Sequence, residues 1–276
     1  MTLDRETIVS LGTKVAPSAA IYGRLCGLLD DPRTSTDDIV KLIRMDQALT
    51  FHVIRVSNSV IFGLHVQNDT LEAAVGRVGF REIYRMVGLA ATQQVCQRDL
   101  VAYRLRAGRL WENSIATAAA AEVLAPTAHV EPGLAYTAGL LRTLGRVIID
   151  NVAAGHAYPG EAEWPLVAEW EQATFGITAT EVTAILLEKW HFPPEIIDAI
   201  RCHFDPFSGL ETNGMGCLLN LACGVVARLG LDLPGESGHW IGSPTELRLA
   251  NLPESVLEEC EARARAHYAA MCATVA

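Results

Sequence analysis

Imidazole, thiol and carboxylate side chains hold divalent metals or act as nucleophile and base, and this chain has eight histidines and seven cysteines. Their spacing argues against both uses. His52, His65, His129, His156, His191, His239 and His267 fall on separate predicted elements, with no HxxxH among them. Cys26, Cys96, Cys202, Cys217, Cys223, Cys260 and Cys272 form no CxxC, and an odd count argues against a disulfide framework. They read as buried reduced thiols. Cys202 and His203 are adjacent, but neighbours on a helix point about 100° apart, a poor geometry for a nucleophile and its base. There is no GxSxG, no Gly-rich phosphate loop ending in Lys-Ser or Lys-Thr, and no GxGxxG after a strand.

The stretch that organises the rest is residues 133–150, GLAYTAGLLRTLGRVIID. Tyr136, Leu140, Leu144, Val147, Ile148 and Val152 have helical spacing and predict one broad-faced buried helix over 133–153. Arg142, Arg146 and Asp150 recur every fourth residue and share a separate polar stripe. Gly139 and Gly145 bracket Arg142-Thr143. Glycine costs a helix interior about 1 kcal/mol against alanine, so the pair predicts close approach by another helix.

Around it the chain reads as nearly all-α, with no sustained period-two alternation between hairpin turns. Residues 1–30 predict two helices joined near Pro17-Ser18, Ser18 capping the second. Ser35 or Thr36 caps the next, with Asp37 and Asp38 in its first turn. Helices are also expected from Met45-Asp46, from Thr70, from Phe80 to about Val95, and over 109–125, 161–175, 178–190, 193–204, 213–229 and 251–272. Residues 231–251, rich in Gly and Pro, predict a loop of low order. The polar, Arg-rich residues 97–108 predict a boundary between an N-terminal helical subdomain, 1–105, and a second helical bundle, 106–276.

Particular residues carry a family likeness. Asp46 and Leu49 are followed by Asn58-Ser59 and then Phe62-Gly63. Trp111-Glu112-Asn113-Ser114 opens an Ala-rich helix. Downstream come Phe175-Gly176-Ile177-Thr178-Ala179, Leu186-Leu187-Glu188-Lys189-Trp190-His191-Phe192-Pro193 and Ala199-Ile200-Arg201-Cys202-His203. This order resembles the HDOD family, bacterial regulatory domains related to the HD metal-dependent phosphohydrolases. The resemblance covers 18–230 and is strongest over 43–63 and 106–206. It implies an N-terminal multi-helix subdomain packed on a degenerate HD-like bundle. Asn58, Ser59 and Gly63 read as structural, an Asn-Ser pair bonding free backbone groups and a glycine stopping a helix.

Set against the HD phosphohydrolases, the resemblance places the metal-ligand positions on Asn113, Arg142-Thr143 (for the His-Asp pair), Ala179, His203 and Cys223. One retained imidazole cannot assemble a metal site, and Arg142 puts a fixed positive charge where a cation would sit. The implication is no enzyme activity, no metal and no cofactor. The family works in signal transduction, so the expected activity is regulatory, through contacts with another signalling protein. Two alternatives come with it. In one, Arg142 beside His203 in the vacated cavity holds a small phosphate or nucleotide anion; in the other, relocated ligands support a phosphohydrolase. Arg142 could equally pair with a buried acid.

Charge narrows the partners. The chain carries −10 overall, yet residues 77–109 hold seven arginines against Glu82 and Asp99. An acidic chain disfavours nonspecific nucleic-acid binding. Arg77, Arg81 and Arg85 read either as a solvated face or as a docking surface, for the acidic second half or for an acidic partner. No apolar window is long enough to span a membrane and the N-terminus lacks a signal core, so the expected location is the cytoplasm.

Overall fold

A computed structural model describes residues 3–29, 33–58, 70–207, 213–240 and 242–275. The fold is all-α; among the described residues the only β pairing is an isolated antiparallel bridge between Leu100 and Leu105. The N-terminal helices are α1 (Arg5–Val15), α2 (Pro17–Leu29), α3 (Thr36–Ile43), α4 (Gln47–Ser57), α5 (Leu71–Val78) and α6 (Phe80–Cys96). Then come α7 (Arg109–Leu124), α8 (Pro132–Leu141), α9 (Leu144–Val152), α10 (Val167–Phe175), α11 (Ala179–Lys189) and α12 (Pro194–Cys202). The last three are α13 (Gly214–Arg228), α14 (Pro244–Leu249) and α15 (Val256–Val275). Among the described residues no helix is long and apolar enough to cross a membrane.

Local chemistry sets most of these boundaries. Ser35 and Asp38 form a capping box at the start of α3, and the Asp46 carboxylate accepts from Ala48 N–H (2.8 Å) and Leu49 N–H (3.1 Å) to open α4. Thr70 caps α5. Gly79, at φ 87°, ends α5 and starts α6 in a conformation that disfavours a side chain. Ser18 does not cap α2. Pro17 takes the first helical position, which needs no N–H partner, and the Ser18 hydroxyl reaches Asp46 (2.5 Å) and Gln94 (2.8 Å). Asn58 is the C-cap of α4; Ser59 and Gly63 lie outside the described residues.

Three further expectations are corrected. The single helix over 133–153 is two, α8 and α9, broken at Arg142 and Thr143, where Thr143 has φ −96° and ψ 1°. Gly145 N–H donates to the Thr183 hydroxyl (2.8 Å), which binds the start of α9 to α11. The described residues of 231–251 are not a loop of low order. They hold a 3-10 turn, Ser237–His239, then α14, and are pinned by Val167 N–H to Gly235 carbonyl (2.9 Å) and Gly235 N–H to Glu161 (2.9 Å). The helix expected over 161–175 begins only at Val167, because Tyr158 and Trp164 anchor the segment before it.

The Ala-rich α7 is the central post. Ala116 and Ala118 to Ala121 are wholly buried because α8, α13 and α15 all pack on it, and methyl groups let the backbones approach. One buried apolar cluster runs from Leu3 to Met271 and crosses residues 97–108 through Leu100, Ala102, Tyr103 and Leu105. A second, smaller cluster fills the space between α7, α13 and α15.

Candidate functional site

The break between α8 and α9 turns Arg142 into the centre of the bundle, where it is 2% exposed. Its guanidinium fork meets the Glu236 carboxylate in two parallel bonds, Nη1 to Oε1 at 3.1 Å and Nη2 to Oε2 at 2.8 Å. Arg146, one turn on, donates to Oε1 of the same carboxylate at 2.5 Å. Asn113 on α7 completes the frame, accepting from Arg142 Nη2 (2.6 Å) and donating to the Leu231 carbonyl (2.7 Å). Trp240 lies 5.7 Å from the Arg142 guanidinium and Tyr103 5.1 Å from that of Arg146, both in cation–π positions.

Electrostatics follow from this packing. Burial alone would raise the Glu236 carboxyl, but Arg142 and Arg146 overcome it and hold the group below the usual carboxylate range. Glu171, wholly buried, accepts from Tyr103 hydroxyl (2.8 Å) and Ala179 N–H (2.7 Å). Burial raises its pKa, with the charge of Arg146 opposing. Burial and then Arg142 hold the His203 imidazole down at about 3, so it is neutral. Its Nδ1 faces the Ile200 carbonyl at 2.8 Å, which makes it the protonated nitrogen and leaves buried Nε2 without a partner. Asn220 donates to the carbonyls of His203 and His239, both at 2.7 Å. Burial pushes the Cys223 thiol up to about 12, against the pull of Arg142.

The structure therefore brings Asn113, Arg142, His203 and Cys223 to one place, around Arg142. Thr143 turns aside to Ser114 (3.0 Å), and Ala179 lies under Gly145 as the first residue of α11. These residues do not fit a divalent cation. A guanidinium, already matched by a carboxylate, occupies the centre, and among the described residues no three His, Cys, Asp or Glu side chains are arranged to hold a metal. An anion seeking Arg142 would have to displace Glu236. The key acid, Glu236, was hidden in a Gly- and Pro-rich segment; its only sequence signal is the demand of Arg142 for a counter-charge.

The chain matches the model of the HDOD domain over residues 16–206. It belongs to the HDOD domain family. A Treponema pallidum protein with no described function is 28% identical over 188 residues, 63% of this chain but 34% of that protein's length. The chain thus spans about a third of that relative. Among solved structures, a Marinobacter aquaeolei protein provisionally named for signal transduction superposes with a TM-score of 0.75 at 21% identity, over 95% of this chain and 59% of its own. An HDOD domain protein of unknown function from Geobacter sulfurreducens gives 0.68 at 21% identity, over 97% and 98%. A Shewanella amazonensis protein provisionally named a phosphohydrolase gives 0.66 at 20% identity, over 94% and 93%. These likenesses are likenesses of fold.

The arginine stripe of this HDOD domain divides. Arg85 turns inward, pairing with Glu82 and with the buried Glu122, and its guanidinium lies 5.8 Å from the Tyr136 ring. Arg98 likewise ties to Asp150 and Arg109 to the carbonyls of Gly230 and Asp232 in the second half. Arg77 and Arg81 are exposed.

Proposed function

We propose that this HDOD domain is a regulatory module that acts through contacts with another signalling protein and carries out no hydrolysis of its own. The observation that supports this most is the Arg142–Glu236–Arg146 ion network, which puts a neutralised guanidinium at the HD centre in place of a metal and its water. Without a cation to lower the pKa of water and brace a phosphate, the phosphohydrolase reaction has no nucleophile at this position. Family membership supports the regulatory part, since HDOD domains are regulatory relatives of the HD hydrolases.

The test is direct. The purified protein, supplied with Mn, Mg or Fe, is expected to leave bis(p-nitrophenyl) phosphate and cyclic dinucleotides intact and to retain no stoichiometric metal after dialysis. The double substitution Arg142→His with Thr143→Asp is expected to stay inactive, because Asn113, Ala179 and Cys223 still supply no ligand set. Metal-dependent turnover by the native chain would overturn the proposal; turnover by the double variant would show that the site is nearer to an intact metal site than its other residues indicate.

A further inference from the structure

We propose that the groove between the first turn of α6 and the start of α8 docks an acidic peptide segment of a partner protein, one that also carries an apolar anchor. This rests on the regulatory reading above and names the chemistry of its partner. Two hollows, about 710 and 640 Å³, adjoin at Arg81 and Pro132, which line both. The first is walled by Phe80, Tyr84, Pro132, Leu134 and Pro193, and Phe80 leaves 37% of its surface exposed. An exposed aromatic among prolines suits a Leu, Phe or Trp side chain from outside.

Charge selects the rest of the occupant. The two carboxylates that line the groove are already engaged: Glu131 caps α8 through Leu134 N–H (2.8 Å), and Glu122 pairs with Arg85 and His267. Arg263, on the far side, is already paired with Glu259 at 3.4 Å. Arg81 sits where the hollows meet, exposed and with no carboxylate partner among the described residues. Most other arginines of this chain are tied to an acid or a carbonyl, as are Arg85, Arg98, Arg109, Arg142 and Arg201. The first turn of α6 also lacks a side-chain cap, because Gly79 stands at its N-cap. Glu82, the acid of that turn, pairs with Arg85 at 3.2 Å, so the helix start keeps positive potential next to Arg81. A groove with matched acids, an unmatched arginine and an uncapped helix start is complementary to carboxylates, although the chain as a whole is acidic.

A random peptide library displayed on phage and selected on the 276-residue chain tests this, followed by anisotropy titration of the enriched peptides. Selected peptides are expected to be net negative with at least one large apolar residue and to weaken as salt rises. Arg81→Glu should weaken them by about tenfold or more, and Phe80→Ser by a comparable factor. Arg106→Glu makes the same charge change at another exposed arginine and should alter binding by less than about twofold. An unchanged melting temperature for Arg81→Glu is expected and excludes loss of fold as the cause. Failure to enrich any peptide, enrichment of neutral or basic ones, or equal effects of Arg81→Glu and Arg106→Glu would each overturn the groove. Those results leave the regulatory reading standing, whereas phosphodiester hydrolysis by the protein would remove that reading and not the peptide result.

Discussion

Glu236 is the counter-charge of two buried arginines, and that asymmetry fixes what each substitution does. Removing one partner of a buried ion pair strands a charge and costs about 3–5 kcal/mol. Glu236→Gln strands both Arg142 and Arg146, each 2% exposed, where no other carboxylate pairs with Arg142 among the described residues. Arg142→Met strands nothing of that kind, since Arg146 still neutralises Glu236 at 2.5 Å. Glu236→Gln is therefore expected to lose about 4 kcal/mol and Arg142→Met about 1–2 kcal/mol. Urea unfolding of the two variants at pH 7 measures this, and an equal or reversed order would show that Glu236 is not the shared neutraliser. The need for such an acid was legible in the sequence from Arg142 alone. Its identity was not, because a partner 94 residues away is set by how the chain returns to α8 and leaves no local spacing signal.

Between elements, the legible features were those set within a turn or two. Ser35, Asp46 and Thr70 announce helix starts through bonds to N–H groups two or three residues on, and Gly79 announces a break through its backbone. The division of residues 133–153 was illegible for the opposite reason: its apolar spacing continues through the break, which is held by Thr183 and Glu236 from elsewhere. The paired glycines did report the crossings. A Cβ on Gly139 would lie 2.7 Å from Ala118 N, and one on Gly145 would lie 2.0 Å from the Ala179 carbonyl oxygen. Both obstacles are backbone and cannot rotate away. Gly145→Ala should therefore cost about 3 kcal/mol or more, by forcing α9 off α11. Gly27, inside α2, faces open space, so Gly27→Ala should gain about 0.5–1 kcal/mol from helix propensity alone. Thermal or urea denaturation of the pair checks both signs; a neutral Gly145→Ala would mean the α9–α11 crossing is looser than this contact.

At the scale of the whole molecule, close contacts tie residues 1–105 to the helices that follow. Gly12 of α1 and Gly23 of α2 are kept free of Cβ by Leu186 and by the Trp190 carbonyl with Phe192, while Gly88 of α6 faces Tyr22 and Leu140. Tyr22 and Tyr84 both reach the Thr137 hydroxyl on α8, and Leu3 N–H donates to the Phe175 carbonyl at 3.1 Å. The buried apolar cluster passes through residues 97–108 without interruption. Chains above about 150 residues commonly unfold in steps, domain by domain, when contacts between parts are few. Here residues 1–105 cover apolar faces of α8 and α11 that the remainder cannot cover for itself. The full chain is expected to unfold in one transition, with coincident midpoints by circular dichroism and tryptophan fluorescence, and a fragment of residues 106–276 is expected to show no cooperative transition. Two separated midpoints, or a fragment that melts sharply by itself, would show that each half carries a sufficient core and that the shared cluster contributes little to holding the whole.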